Sequence, residues 1–336
     1  MSLPAVVAWE VTHECNLACR HCKADARHIE GGQHSTEQLQ PSHELTTAEA
    51  LAFIDNIATF QPFLIFTGGE PLLRRDVETL IGHAAGLNMR TALATNGLLI
   101  DEKRAQRLKA CGLNVVSVSV DYADAYAHDM VRGIKGAYDS ALKAVRIAEA
   151  AGMSVQINTT VTKANIDTLP AIRDMAYSSG AHAWHVFFLV PTGRGNVADL
   201  ASSDDYYAAL TWLEGLDNTQ NGRSLRPTCA PQYRLREGRR GCLAGISYVF
   251  VTNDGTVQPC GYLPLNLGNI LEQDLADIWG SSPLLKMLRT PSEWDSACRT
   301  CAFNVTCRGC RARAFATSGD YLGNDPYCKG VRACDR

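Results

Sequence analysis

The 336-residue chain has no run of about 18 apolar residues, so no segment is long enough to cross a bilayer as a helix. Its first residues, Met1-Ser2-Leu3-Pro4, lack the basic stretch and apolar core of a secretory signal. There is no internal repeat and no low-complexity tract. Cysteine is nearly missing from the middle: of 13 in the chain, only Cys111 falls between Cys22 and Cys229. A secreted disulfide scaffold would scatter its cysteines through loops. Short fixed spacings near both ends, with no export signal, point instead to metal ligation in a reducing cytoplasm. Net charge is low at −3 but uneven, with 15 Lys and Arg against 10 Asp and Glu from Gly222 onward. That excess is either a solvated arginine-rich surface or a field that attracts an acidic substrate. It is too modest, without a recognition motif, to suggest a nucleic-acid partner.

Apolar, β-branched runs alternate with stretches of helical period. The predicted strands are Ala5–Val11, Phe63–Thr67, Thr91–Thr95, Val115–Val120, Ser154–Val161 and Ala183–Val190. Helical patterns lie between or after them, near Thr46–Phe60, Arg74–Ala85, Asp101–Cys111, Ala137–Ala151 and Ile166–Ser179. Thr46 and Glu49 have the spacing of a capping box, and Gly152 that of a helix C-cap. Six β-then-α units predict an α/β fold with a parallel sheet, whose functional residues gather at the C-terminal ends of the strands. Beyond about Leu200 the pattern changes. A helix is expected over Asp199–Asp217, a polar linker over Asn218–Ser224, and a hairpin at Ile246–Thr252 and Thr256–Gln258. Short helices follow at Asp274–Trp279 and Pro283–Leu288. The last 40 residues are too poor in apolar periodicity to fold without metal.

Cys15, Cys19 and Cys22 follow the first strand with three and then two residues between them. Three thiolates suit a [4Fe–4S] cube with one iron left open; a zinc site would need a fourth ligand such as His13 or His21. In this context the motif resembles that of the radical S-adenosylmethionine (SAM) superfamily. The resemblance implies a partial (β/α)6 TIM-like barrel, with SAM bound to the open iron through its amino and carboxylate groups. It also implies SAM contacts from Gly68, Gly69, Glu70 and Pro71, from Thr95 and Asn96, and from Ser119 and Arg132, the last two at the carboxylate. Asn158, Thr160 and Val190 join that set, although plain polar strand-end roles suit Asn158 and Thr160 equally.

The second cysteine group is Cys242, Cys260, Cys298, Cys301, Cys307, Cys310 and Cys328. It is similar to the SPASM extension, a small C-terminal iron–sulfur module, which implies one or two auxiliary [4Fe–4S] clusters. By analogy Cys298, Cys301, Cys307 and Cys328 hold one, and Cys242, Cys260 and Cys310 the other. The pattern departs in two places: two residues separate Cys307 from Cys310, and Ser247 lies where a further ligand is common. The Cys242 cluster then has an open iron or borrows Cys229 or Cys334. A zinc ribbon over Cys298–Cys310 would leave Cys242, Cys260 and Cys328 unexplained. Cys111 reads as a helix-end cysteine without a chemical role.

Three further sets of residues narrow the resemblance. They are Pro227–Tyr233 with Gly241–Gly245, Val257–Pro264 with Cys307–Ala314, and Gly319–Leu322 with Val190–Gly195. Together they resemble the radical SAM enzymes of heme pathways, with the heme synthases of the siroheme-dependent route nearest and the heme d1 branch beside them. The implied reaction is oxidative decarboxylation of two propionates of iron-coproporphyrin III to the vinyl groups of heme b, served by an external electron donor and acceptor. The substrate's carboxylates make Arg194, Arg226, Arg234, Arg236, Arg308, Arg311 and Arg313 candidates for its pocket, with Tyr233, His182 and His185 near the macrocycle. The implied division is a barrel over residues 1–200, a helical or linker bridge over 201–235 and a SPASM-like domain over 236–336. Peptide modification, and a non-catalytic iron–sulfur or zinc module, are the alternatives. No room precedes Ala5 for a peptide-binding domain, which counts against the first of these.

Overall fold

The computed structural model describes residues 2–29, 44–216 and 223–330. Most of the expected linker, and Cys334, fall outside them. The chain opens with β1 (Val6–Glu10), then a two-stranded parallel ladder of β2 (Glu14–Cys15) and β3 (Arg27–His28). Next come α1 (Thr47–Ala58), β4 (Phe63–Thr67), α2 (Val77–Gly86), β5 (Thr91–Thr95), α3 (Glu102–Ala110) and β6 (Val115–Ser119). Two helices follow, α4 (Ala125–Arg132) and α5 (Ala137–Ala150), then β7 (Ser154–Val161), α6 (Leu169–Ser178), β8 (Ala183–Phe188) and α7 (Ser203–Glu214). The remainder is β9 (Ser224–Thr228), α8 (Pro231–Arg236), β10 (Tyr248–Val251), β11 (Thr256–Gln258) and β12 (Gly268–Asn269), then α9 (Leu275–Ser281), α10 (Pro283–Arg289) and α11 (Arg311–Ser318).

The six expected strands form the parallel centre of the sheet in the order β1-β4-β5-β6-β7-β8. The sheet continues past both ends. β9 adds in parallel to β8, so the segment expected as a helical bridge also contains a strand. On the other side β10 adds in parallel to β1, and β11 and β12 follow antiparallel. The expected hairpin is present, its first strand shorter by two residues at the start and one at the end. The Thr46–Glu49 capping box is formed, while Ala151 caps α5 and Gly152 follows it with φ +77°.

Period-two patterning explains which face carries the site. Trp9, Phe66, Leu93, Val116 and Val155 lie side by side on the outer face, each fully buried under the helices. Each such side chain contributes about 1.5–3 kcal/mol. The opposite face carries a polar row: Ser119, Asn158, His185 and Arg226 are register neighbours across β6 to β9. Apolar residues of α9 and α10, Ile278, Trp279 and Leu285, belong to the same core as the barrel. Among the described residues no helix is long and apolar enough to cross a membrane.

Candidate active site and cysteine sets

Cys15 ends β2, and the loop that follows carries Cys19 and Cys22. The first two are buried, and all three are free thiols. Gly68 and Gly69 let the next strand end lie directly on this loop. A β-carbon at Gly69 would sit 2.2 Å from the Glu14 carbonyl oxygen, and one at Gly68, whose φ is +156°, 2.4 Å from that of Thr12. Instead the Gly69 and Glu70 amides donate to those two carbonyls at 2.9 and 2.8 Å, to Thr12 and Glu14 respectively. Glu70 is fully buried and accepts from the Leu72 amide at 3.1 Å, the Thr95 hydroxyl at 2.8 Å and the Asn96 amide at 2.8 Å. Burial still pushes its carboxyl above the ordinary range. Asn96 reaches back to the cysteine loop by donating to Asn16 Oδ1 at 2.7 Å. Three segments far apart in sequence are thereby tied into one rim.

A second hub forms at the end of β6. Asp121 is 1% exposed and pairs with Arg132 Nη2 at 2.7 Å and His21 Nε2 at 3.3 Å, while its Oδ1 accepts from the Thr160 amide at 2.9 Å. Burial pushes Asp121 up, but Arg132, His21 and His128 outweigh it and the carboxyl sits below its ordinary range. Burial holds His21 down against the pull of Asp121. Arg132 Nη1 also lies 3.8 Å from Cys19 Sγ, and its Nε has no partner. Sequence reasoning placed Arg132 here and picked out Asp121 at the strand end, without pairing the two; Asn16 it did not single out.

The other expected residues divide. Ser119 and Asn158 are adjacent on the polar face, where Asn158 accepts from Gln156 at 2.5 Å. Val190 is packed with Leu263, Cys310 and Ala312, beside the second cysteine group. His182 lies at the N-terminal edge of β8, accepting from the Val155 amide at 3.2 Å, at the opposite end of the strand from the site. His185 is on the polar face, and burial, then Arg226, pushes its ring down to about 3.

The C-terminal cysteines form two sets. One pocket, with about 430 Å³ of empty space partly open to solvent, is lined by Cys298, Cys301, Cys307 and Cys328, with Arg308 and Asp325. Elsewhere Cys229, Cys260 and Cys310 share an apolar cluster with Tyr262. Cys229 and Cys310 are hydrogen-bonded, which draws Cys310 down and pushes Cys229 up, and Cys242 and Cys260 lie in the same field. Cys229 directly follows β9 with φ +56°, held by Arg313 donating to its carbonyl at 2.9 Å.

Most of the candidate arginines are bound by the chain itself. Arg194 donates to the carbonyls of Cys19 (2.9 Å) and Ala26 (3.0 Å) and pairs with Asp25. Arg311 donates to the Gly323 carbonyl at 2.7 Å and stacks on Trp294. Arg313, fully buried, makes a two-point pair with Asp325 at 2.8 and 2.9 Å. Arg234 donates to the Arg240 carbonyl, and Arg236 pairs with Glu214 at 2.8 Å. Tyr233 is buried in the main core. Arg226 projects, exposed, from the polar row, and Arg308 is buried with Nε and Nη1 unpartnered.

The donor sets suit iron–sulfur clusters. Burial pushes the Cys15 and Cys260 thiols up to about 12, so a resident cation is needed to hold either as thiolate. Among the described residues no three His, Cys, Asp or Glu converge closely enough for a single metal ion. A multi-iron cube, which spreads its thiolates apart, makes a different demand.

An α/β half-barrel with a three-cysteine loop at its rim and further cysteine sets beyond its sheet is a metal-cluster enzyme scaffold. The sequence profile of the radical SAM superfamily matches residues 9–176, and that of SPASM, an iron–sulfur cluster-binding domain, matches residues 242–302. The chain belongs to the radical SAM superfamily. It is similar to the AdoMet-dependent heme synthase of Methanosarcina barkeri, 40% identical over 97% of this chain and 96% of that protein. It is also similar to the pre-heme d1 synthase of Dinoroseobacter shibae, 30% identical over 96% of this chain and 85% of that one. The crystal structure of Streptococcus suis SuiB bound to S-adenosylmethionine shares its fold with a TM-score of 0.76, at 16% identity over 100% of this chain and 78% of that one. The chain is thus a radical SAM enzyme, using a [4Fe–4S] cluster that binds SAM and auxiliary clusters in its SPASM domain.

Proposed function

We propose that this enzyme is a heme synthase, converting two propionates of iron-coproporphyrin III to vinyl groups by oxidative decarboxylation. One observation carries the reading: the similarity to a heme synthase spans nearly the whole of both chains, SPASM domain included. Cys15, Cys19 and Cys22 would hold the catalytic cluster, and SAM bound beside them would supply the radical chemistry for removing a hydrogen from the propionate β-carbon. The Glu70 rim orients SAM through the backbone of Gly68–Pro71 and the Thr95-Asn96 turn. Arg132, anchored by Asp121, offers its free Nε to the SAM carboxylate. Ser119, Asn158 and Thr160 face the same side.

Cys298, Cys301, Cys307 and Cys328 hold one auxiliary cluster; Cys242, Cys260 and Cys310 hold the other, with Cys229 as its fourth ligand. Clusters held there would supply a route for the electron left when CO2 departs, to an external acceptor. Arg226, exposed beside the neutral His185, and the unpartnered guanidinium nitrogens of Arg308, Arg311 and Arg194 are the positive charge offered to substrate carboxylates. No element of this chemistry needs a membrane, and it is assigned to the cytoplasm.

The test is an anaerobic assay with SAM, a reductant and iron-coproporphyrin III, read by product mass. Loss of two CO2 with matching 5′-deoxyadenosine is the expected result. Formation of 5′-deoxyadenosine with the porphyrin unchanged would reject this substrate and turn attention to heme d1 precursors.

A further inference from the structure

Lys23 follows the third cysteine of the barrel loop, yet its side chain ends against the auxiliary cysteines. Its ammonium lies 4.3 Å from the ring centroid of Phe250 and 5.8 Å from that of Tyr262. It abuts Gly261, the residue after Cys260: a β-carbon there would lie 3.2 Å from Nζ. Nζ is shielded from solvent and has no hydrogen-bond partner. A buried ammonium without a counter-charge is strongly disfavoured, and two aromatic faces compensate it only in part.

The position is built rather than accidental. Arg194 donates its backbone N–H to the Cys22 carbonyl at 2.9 Å. Gly193, with φ +62°, packs so closely that a β-carbon would lie 2.4 Å from the Cys22 oxygen and 2.5 Å from that of Lys23. Thr192 of the same loop donates to the Tyr262 carbonyl at 3.0 Å. One short loop therefore clamps both the barrel cysteine loop and the turn after Cys260. The group beside Nζ that becomes anionic when the protein is loaded is the Cys260 thiolate with its cluster.

We infer that Lys23 donates a hydrogen bond to the auxiliary cluster held by Cys260 and raises that cluster's reduction potential. The inference rests on the assignment of Cys229, Cys242, Cys260 and Cys310 as its ligands. One-electron reduction adds a negative charge to the cluster, so an adjacent cation favours the reduced form. Lys23 touches no reacting atom; it is a positioning residue that makes this cluster the better acceptor.

An EPR-monitored redox titration of the anaerobic, cluster-loaded full chain tests this, with the relevant signal identified by its loss in Cys260→Ala. Lys23→Met should lower the potential by at least the equivalent of a tenfold change in the redox equilibrium, 59 mV for one electron, and Lys23→Arg should restore most of it. An unchanged potential in Lys23→Met at unchanged iron content overturns the inference. If that variant fails to hold the cluster, the native chain labelled with 15N-lysine decides. Pulsed EPR should show a 15N coupling to the reduced cluster that disappears in Lys23→Arg, and its absence from the native protein overturns the inference. A native protein without any signal sensitive to Cys260→Ala overturns the ligand assignment itself, and the inference with it.

Discussion

Removing the sulfur of Cys229 separates its role as a ligand from its role in the backbone. With all three cysteine sets filled, the chain carries about 12 irons, four to a cluster. Cys229→Ala and Cys229→Gly both delete the thiolate, so both should fall toward about 8 irons and lose one reduced-cluster signal by EPR. The two differ in the apoprotein. Cys229 sits at φ +56°, a left-handed conformation that costs a non-glycine residue about 1–2 kcal/mol. Arg313 holds it there through the Cys229 carbonyl. Glycine relieves the strain and alanine does not, so the apo Cys229→Gly chain should be about 1 kcal/mol more stable in urea unfolding. Full iron content and an unaltered spectrum in Cys229→Ala would refute the ligand role. The fourth position would then be open, or filled by Cys334. Equal apo stabilities would refute the argument from strain while leaving the ligand question to the iron analysis.

Gly69→Ala forces a β-carbon within 2.2 Å of the Glu14 carbonyl oxygen; the expected result is loss of SAM binding by equilibrium dialysis, and wild-type affinity would show that the rim is not as tight as drawn. Asp325→Asn leaves the fully buried Arg313 without its counter-charge, at a cost of about 3–5 kcal/mol. Because Asp325 also accepts from the Cys310 amide at 2.7 Å, iron should be lost along with stability, and a drop of less than 1 kcal/mol in denaturant unfolding would count against the pair. His128 accepts the Asp121 amide through Nδ1 at 3.2 Å, and burial holds its ring down to about 4. An unfolded histidine titrates near 6.5, so below that pH the unfolded state binds the extra proton and stability falls as pH falls toward 4. The loss is about 2 kcal/mol by pH 5. His128→Asn should flatten this slope in thermal unfolding between pH 7 and 5, and parallel slopes would refute it.

The parallel centre of the fold was legible because its strands are buried on the outer face by β-branched and aromatic residues at period two. Phe63–Thr67, Thr91–Thr95 and Ser154–Val161 coincide with their predicted bounds. β9 was not legible: Ser224-Leu225-Arg226-Pro227-Thr228 carries a proline and an exposed arginine, which argue against a strand until an edge beside β8 is available. α4 was missed for a related reason. Ala125–Arg132 buries only His128 and Arg132, polar residues that no apolar periodicity reveals. α11 likewise buries Arg311 and Arg313, whose cations are matched by Asp325, Trp294 and Tyr327 and not by an apolar stripe.

The same physics limited what could be read about the site. Motif spacing located the cysteines, the Gly68–Pro71 segment and Arg132, since each is a local pattern with a chemical meaning. The partners that give these residues their properties come from elsewhere in the chain. Asp121 pairs with Arg132 and His21, and Asn16 with Asn96; Arg194 grips the carbonyl of Cys19 across 175 positions. Counting arginines suggested a substrate pocket rich in cations, but a guanidinium is also the side chain best able to tie carbonyls together inside a region short of apolar residues. Arg194, Arg311 and Arg313 are used in that way. A composition bias toward arginine in a cluster-binding segment is therefore weak ground for an anionic substrate. A stronger pointer to a nearby anion, substrate or cluster, is a buried cationic nitrogen without a hydrogen-bond partner, as at Arg308 and Lys23, because burying one is unfavourable unless something anionic meets it.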